Sequence, residues 1–188
     1  MEPQPPVLKR SVVFVGMMGC GKTSVGRAIG KRFRVPFIDT DRWIEQTESM
    51  SIVQIFDRFG EDYFRVRERH AIETAIDGPA KSIAIGGGAY IDPENRNFID
   101  RSAVSVWIQA DIEVLWQRVR QKASRPLLQT ADPYATLQRM AAERTPAYRN
   151  ARVHVESVNR LPVLGTVERV VTALLEAPPD IGLFETGD

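Results

Sequence analysis

A single cysteine, Cys20, stands in the 188 residues, so no disulfide can form within the chain, and a lone thiol fits a reducing compartment. Net charge is nearly absent as well: 25 Lys and Arg face 24 Asp and Glu, leaving +1. With no long basic run and no interleaved aromatic stripe, nothing in the charge pattern favours a nucleic-acid partner. Nor is any apolar run long enough for a membrane: the one that begins at Val12 stops at Gly16, whereas a span needs about 20 residues. Internal repeats are missing too, and low complexity is confined to a Pro-rich extension over residues 1–10. These absences lead to the expectation of a cytoplasmic protein that binds neither membrane nor nucleic acid. At 43% hydrophobic and 26% charged, the chain suits one compact domain over residues 1–188.

What is present begins with Gly16-Met17-Met18-Gly19-Cys20-Gly21-Lys22-Thr23, a GxxxxGK[ST] pattern preceded by the β-branched run Ser11 to Val15. Glycines let backbone N–H groups converge on phosphate oxygens, Lys22 can reach the β and γ phosphates, and the Thr23 hydroxyl can face Mg²⁺. Gly19, Cys20, Gly21, Lys22, Thr23 and Ser24 are thus the candidate nucleotide-binding residues. The apolar spacing from Thr23 to Gly30 predicts a helix whose N-terminus faces the phosphates. Cys20 is either an oxidisable thiol or simply a small loop residue.

Strands are predicted at Ser11 to Val15, Pro36 to Ile38, Ser82 to Ile85, Ala103 to Ile108 and Val153 to Val155, with helical periodicity between most of them. Alternation of this kind implies an α/β doubly wound fold, a central five-stranded parallel sheet with helices on both faces and the ligand site at the carboxyl ends of the strands. Val167 to Glu176 reads as a closing amphipathic helix, and residues 178–188 as a loose tail.

Sequence segments with chemical potential follow the strands. Asp39 and Asp41 flank Thr40: one carboxylate can serve a metal while the other orients or deprotonates an attacking hydroxyl, although Asp41 could equally cap the next helix. Arg65 and Glu68 share a helix face at i and i+3, as an ordinary solvated pair would. Gly86-Gly87-Gly88 suits a loop that a ligand approaches closely. Arg118, Arg125 and Arg144 are each compatible with a surface charge, yet arginines on a closing segment, about 124–136, could neutralise a transferring phosphoryl group. Asp57-Arg58-Phe59-Gly60 fits a GTPase DxxG element only superficially, because it lies inside the helical pattern Ile52, Ile55, Phe56, Phe59 and no NKxD stretch reads guanine.

In order, GMMGCGKT, DTD, FRVRE, GGG, RPLL and ERTPAY resemble the signature series of shikimate kinases, small P-loop kinases of the nucleoside monophosphate kinase type, from about Val12 to Pro162. The resemblance implies a P-loop NTPase fold with a mobile lid, and transfer of the ATP γ-phosphoryl group to the 3-hydroxyl of shikimate. By position it makes Lys22, Asp41 and Arg125 catalytic, and gives Mg²⁺ to Thr23 and a water held by Asp39. It assigns the shikimate carboxylate to Arg65 and Arg144, with Glu68 orienting Arg65. Asp41 and the N–H groups of Gly86, Gly87 and Gly88 then take the ring hydroxyls, and Arg118, Arg125 and Arg160 take ATP. ATP and shikimate are the expected partners of a monomer. Ile85 occupies the place where the family usually has a threonine ahead of the glycines. A kinase for a gluconate-type acid would also need to grip a carboxylate, and a binding module that has lost its chemistry would be expected to lack Lys22, Asp41 or a lid arginine.

Overall fold

The structure is a computed structural model that describes residues 6–120, 128, 130–157 and 163–184. Its five strands are β1 (Ser11–Val15), β2 (Phe37–Asp39), β3 (Ser82–Ala84), β4 (Ala103–Gln109) and β5 (Val153–Glu156). They form one parallel sheet in the order β2-β3-β1-β4-β5. Helices α1 (Lys22–Arg32), α2 (Thr40–Glu48), α3 (Ile52–Ile76), α4 (Pro93–Ser102), α5 (Ile112–Val119), α6 (Pro133–Tyr148) and α7 (Val163–Leu175) cover both faces, with α1 against α7 and α3 against α4.

Position in the sheet explains the strand sequences. β1 has a neighbour on each side and helices above and below, so all five of its residues are buried and it reads as an unbroken apolar run. β5 is an edge strand, and its residues alternate between buried and exposed. The sequence-predicted strands recur within a residue or two at each end. Pro36 stays outside β2, contributing only its carbonyl, which accepts from the Ser82 N–H at 2.9 Å.

Two hydrophobic clusters result. The main one runs along β1, β3 and β4 under α1 and α7 and includes Val13, Phe14, Ile29, Ile83, Val106 and Leu174. A satellite of Ile44, Ile55, Phe64 and Ala71 joins α2 to α3, with Trp43, Met50 and Phe56 packed on it.

Several expectations are corrected. The helix across Asp57 to Gly60 is real but broken: Gly60 adopts φ 80°, ψ 177° inside α3. The closing helix starts earlier, at Val163. Residues 133–136 of the expected lid are the first turn of α6, capped by the Asp132 carboxylate, while 124–127 and 129 lie outside the described residues. The expected loose tail is packed as far as Phe184: Ile181 and Leu183 are buried, Phe184 bridges to Leu8 and its ring meets Phe33 at 5.8 Å. Arg10, in the Pro-rich extension, secures that tail by donating to the carbonyls of Ile181 (2.8 Å), Arg101 (2.9 Å) and Ala103 (3.0 Å). Burial of apolar side chains, at roughly 1.5–3 kcal/mol for each fully buried one, holds this segment down.

Candidate active site

The phosphate loop leaves the carboxyl end of β1 and enters α1 through Gly21, whose φ of 107° is a left-handed conformation that a side chain would strain. Among the described residues no side chain caps α1, which leaves the first-turn amides of Lys22, Thr23 and Ser24 suited to an anion. Lys22 Nζ donates to the loop's own carbonyls, Gly16 at 2.7 Å and Met17 at 3.1 Å, which holds the ammonium over the loop. Cys20 is 1% exposed, so it serves as a small packing residue beneath the loop and the oxidation alternative loses its access. Arg118, on α5, donates to the Gly19 carbonyl at 3.2 Å and to Ser157 Oγ at 3.1 Å, tying the loop to the segment after β5.

Beside Lys22, Thr23 Oγ1 donates to Asp39 Oδ2 at 2.8 Å. These are two hard oxygens from two elements next to the phosphate loop, a donor set that fits Mg²⁺, which usually takes one or two protein oxygens and completes its shell with waters and phosphates. Asp39, at the end of β2, also accepts from the Arg42 N–H at 3.4 Å and is therefore the cap of α2. Asp41 lies inside the first turn, so the capping alternative falls to its neighbour.

Gly86, Gly87 and Gly88 form the turn after β3, and four other segments crowd against them. A Cβ built at Gly86 would stand 2.8 Å from both Asp41 Oδ1 and Glu68 Oε1, and one at Gly88 would stand 2.9 Å from Arg65 Nη1. At Gly87 it would lie 3.3 Å from Arg144 Nη1 and 3.4 Å from the Gly16 carbonyl oxygen of the phosphate loop. A side chain at Gly86 or Gly88 would therefore push aside the carboxylate or guanidinium ends that converge on this turn.

The electrostatics are closely balanced. Arg65 Nη1 donates to Glu68 Oε2 at 2.8 Å, while its Nε and Nη2 donate to Glu61 Oε1 at 3.2 and 2.8 Å. Three of the five guanidinium N–H groups are so occupied by groups of the described residues. Glu68 is buried, and burial raises its carboxyl above the ordinary range; Arg65 opposes that shift and Asp41 adds to it. Burial likewise pushes the Tyr148 hydroxyl above its usual value, against the pull of Arg144.

Asp39, Asp41, Arg65, Gly86, Gly87, Gly88 and Arg144 thus gather beside the phosphate loop, whereas Arg125 and Arg160 lie outside the described residues. Sequence reasoning missed Glu61, Tyr148 and Ser157. Glu61 could have been found from its i,i+4 spacing to Arg65, and Tyr148 from its identical spacing to Arg144; Ser157 has no local signal, because its partner is 39 residues away.

This geometry has close counterparts. The shikimate kinase family model matches residues 18–177. The chain belongs to the shikimate kinase family. Its members are ATP-dependent kinases. A shikimate kinase of Ruegeria pomeroyi is 47% identical over 167 residues, covering 89% of this chain and 86% of that protein. One from Caulobacter vibrioides is 42% identical over 172 residues, covering 92% and 86%. The solved shikimate kinase of Acinetobacter baumannii in complex with shikimate superposes with a TM-score of 0.84 at 30% identity, over 88% of this chain and 93% of that one.

Proposed function

We infer that this member of the shikimate kinase family transfers the γ-phosphoryl group of ATP to the 3-hydroxyl of shikimate, forming shikimate 3-phosphate and ADP on the route to chorismate and aromatic amino acids. The observation that carries the reading is the convergence of Asp41, Arg65, Glu68 and Arg144 on one glycine turn, 3.4 Å from a phosphate-loop carbonyl at its nearest built position.

In this reading the α1 amides and Lys22 hold the β and γ phosphates, and Thr23 and Asp39 hold Mg²⁺, which supplies charge neutralisation when bound. Arg65 and Arg144 grip the substrate carboxylate, each with a planar fork suited to two parallel hydrogen bonds. Asp41 orients the attacking hydroxyl and accepts its proton, while the glycine-turn amides take neighbouring ring hydroxyls. Arg118, Arg125 and Arg160 are proposed to serve the nucleotide, with Arg125 closing on the transferring group. The proposal extends to a cytoplasmic monomer without nucleic-acid or membrane partners; among the described residues no helix is long and apolar enough to cross a membrane.

ADP release measured with ATP and Mg²⁺ against shikimate, gluconate and AMP in parallel tests the acceptor, with Lys22→Ala as control. Release stimulated by shikimate alone and lost in the control is the expected result. Stimulation by gluconate instead would reassign the acid, and ATP binding without stimulation by any acceptor would leave only a binding module.

A further inference from the structure

The three segments that must stay in register during transfer, namely the phosphate loop, the glycine turn and the arginine of α6, meet at one buried hydroxyl. Tyr148 is 1% exposed, and its Oη donates to the Gly87 carbonyl at 2.5 Å. The same oxygen lies 3.8 Å from Met17 Sδ in the phosphate loop, and the Arg144 guanidinium, one helical turn back, lies against it. Trp107 from β4 backs the ring, centroid to centroid at 5.9 Å.

We propose that Tyr148 is a positioning residue that fixes the Gly87–Gly88 peptide plane and thereby aims the Gly88 N–H at the acceptor. No peptide bond among the described residues is cis, so the Gly88 N–H points away from the Gly87 carbonyl. Anchoring that carbonyl on Tyr148 turns the N–H to the opposite edge of the peptide, in a residue that lies beside Arg65, whose Nη1 a Cβ at Gly88 would meet at 2.9 Å. Two glycines flanking a peptide have the widest choice of φ and ψ, so this plane needs an external tether that a side-chain-bearing pair would not. The Ala89 N–H closes this turn on the Gly86 carbonyl at 3.1 Å, but a bond of that kind occurs in turns with either orientation of the middle peptide, so it does not by itself fix the Gly87–Gly88 plane. Arg144 is steered by the same contact, which places one substrate-side group and one backbone donor under the control of a single oxygen.

The catalytic part of this inference rests on the proposed shikimate reaction; the tether itself does not. Tyr148→Phe removes one atom and keeps the ring against Trp107. Hydrogen exchange of the free protein is expected to accelerate several-fold at the amides of residues 87–89, with those of the β1 strand unchanged. In steady-state assays the shikimate KM is expected to rise roughly tenfold, the scale of one buried hydrogen bond to an acceptor left unsatisfied, while the ATP KM stays within about twofold. Unchanged exchange at 87–89 would overturn the tether whatever the acceptor proves to be. Equal increases in both KM values would overturn it too, because loosened packing rather than an aimed donor would be responsible. A wild-type enzyme that ignores shikimate would instead defeat the functional reading, and the exchange experiment would still decide the role of Tyr148.

Discussion

The proposed donor and acceptor halves of this site, the phosphate loop and the surroundings of the glycine turn, are built by different means. The phosphate loop is eight consecutive residues, Gly16 to Thr23, hung from a strand buried along its whole length and rooted in the main core. The acceptor side draws Asp41, Arg65, Glu68, Gly86 to Gly88 and Arg144 from four segments spread over more than 100 residues of the chain. It leans on a satellite core with four buried members, and its arginine is held by carboxylates, Glu61 and Glu68. A contiguous loop can be pre-shaped by its own backbone, whereas a dispersed cup needs ionic pairs and a tether. Damage on each side should therefore appear in different kinetic constants.

The sharpest division would come from Asp41→Asn, which is expected to lower kcat by about 10²–10⁴ while leaving ATP affinity within about twofold, as loss of a proton acceptor does. Near-normal turnover would break the assignment. Next in size, Arg65→Ala should raise the shikimate KM by about 10- to 100-fold, since a hydrogen bond to a charged group contributes about 1.5–3 kcal/mol. If the ATP KM rose instead, the two halves would not be separable as described. On the donor side, Ser157→Ala removes one partner of Arg118 and is expected to raise the ATP KM about fivefold with the shikimate KM unchanged. An effect on shikimate alone would move Arg118 to the other half.

The smallest effect concerns pH. Glu68 is held above the ordinary carboxylate value only in the folded protein, so the fold keeps this proton where the unfolded chain has released it. Its contribution to stability is then present below the ordinary glutamate value and is lost as pH rises through the raised one. Urea midpoints of the wild type relative to Glu68→Gln should fall across that window, and parallel curves would show that Arg65 cancels the burial.

Much of the donor half was legible because its determinants are local: a β-branched run, glycines at set offsets and a helix start are all spelled in consecutive residues. Arg65 with Glu68 could be paired from helical spacing. The helix cap, which the sequence allowed at Asp41, falls two positions earlier, since Asp39 and Asp41 are chemically equal in a sequence and only the backbone angles distinguish them. The tail from Pro178 read as loose because its partners, Leu8, Arg10 and Phe33, lie near the other end of the chain.

By itself, then, the sequence determined the family, the strand and helix order and the identity of the phosphate loop, because each depends on spacing within a few residues. The tertiary structure alone decided that Tyr148 meets Gly87, that Arg118 meets Ser157 and that Asp41 and Glu68 face one glycine. Those contacts depend on the order β2-β3-β1-β4-β5, which sets residues far apart in the chain side by side through the packing of the whole sheet.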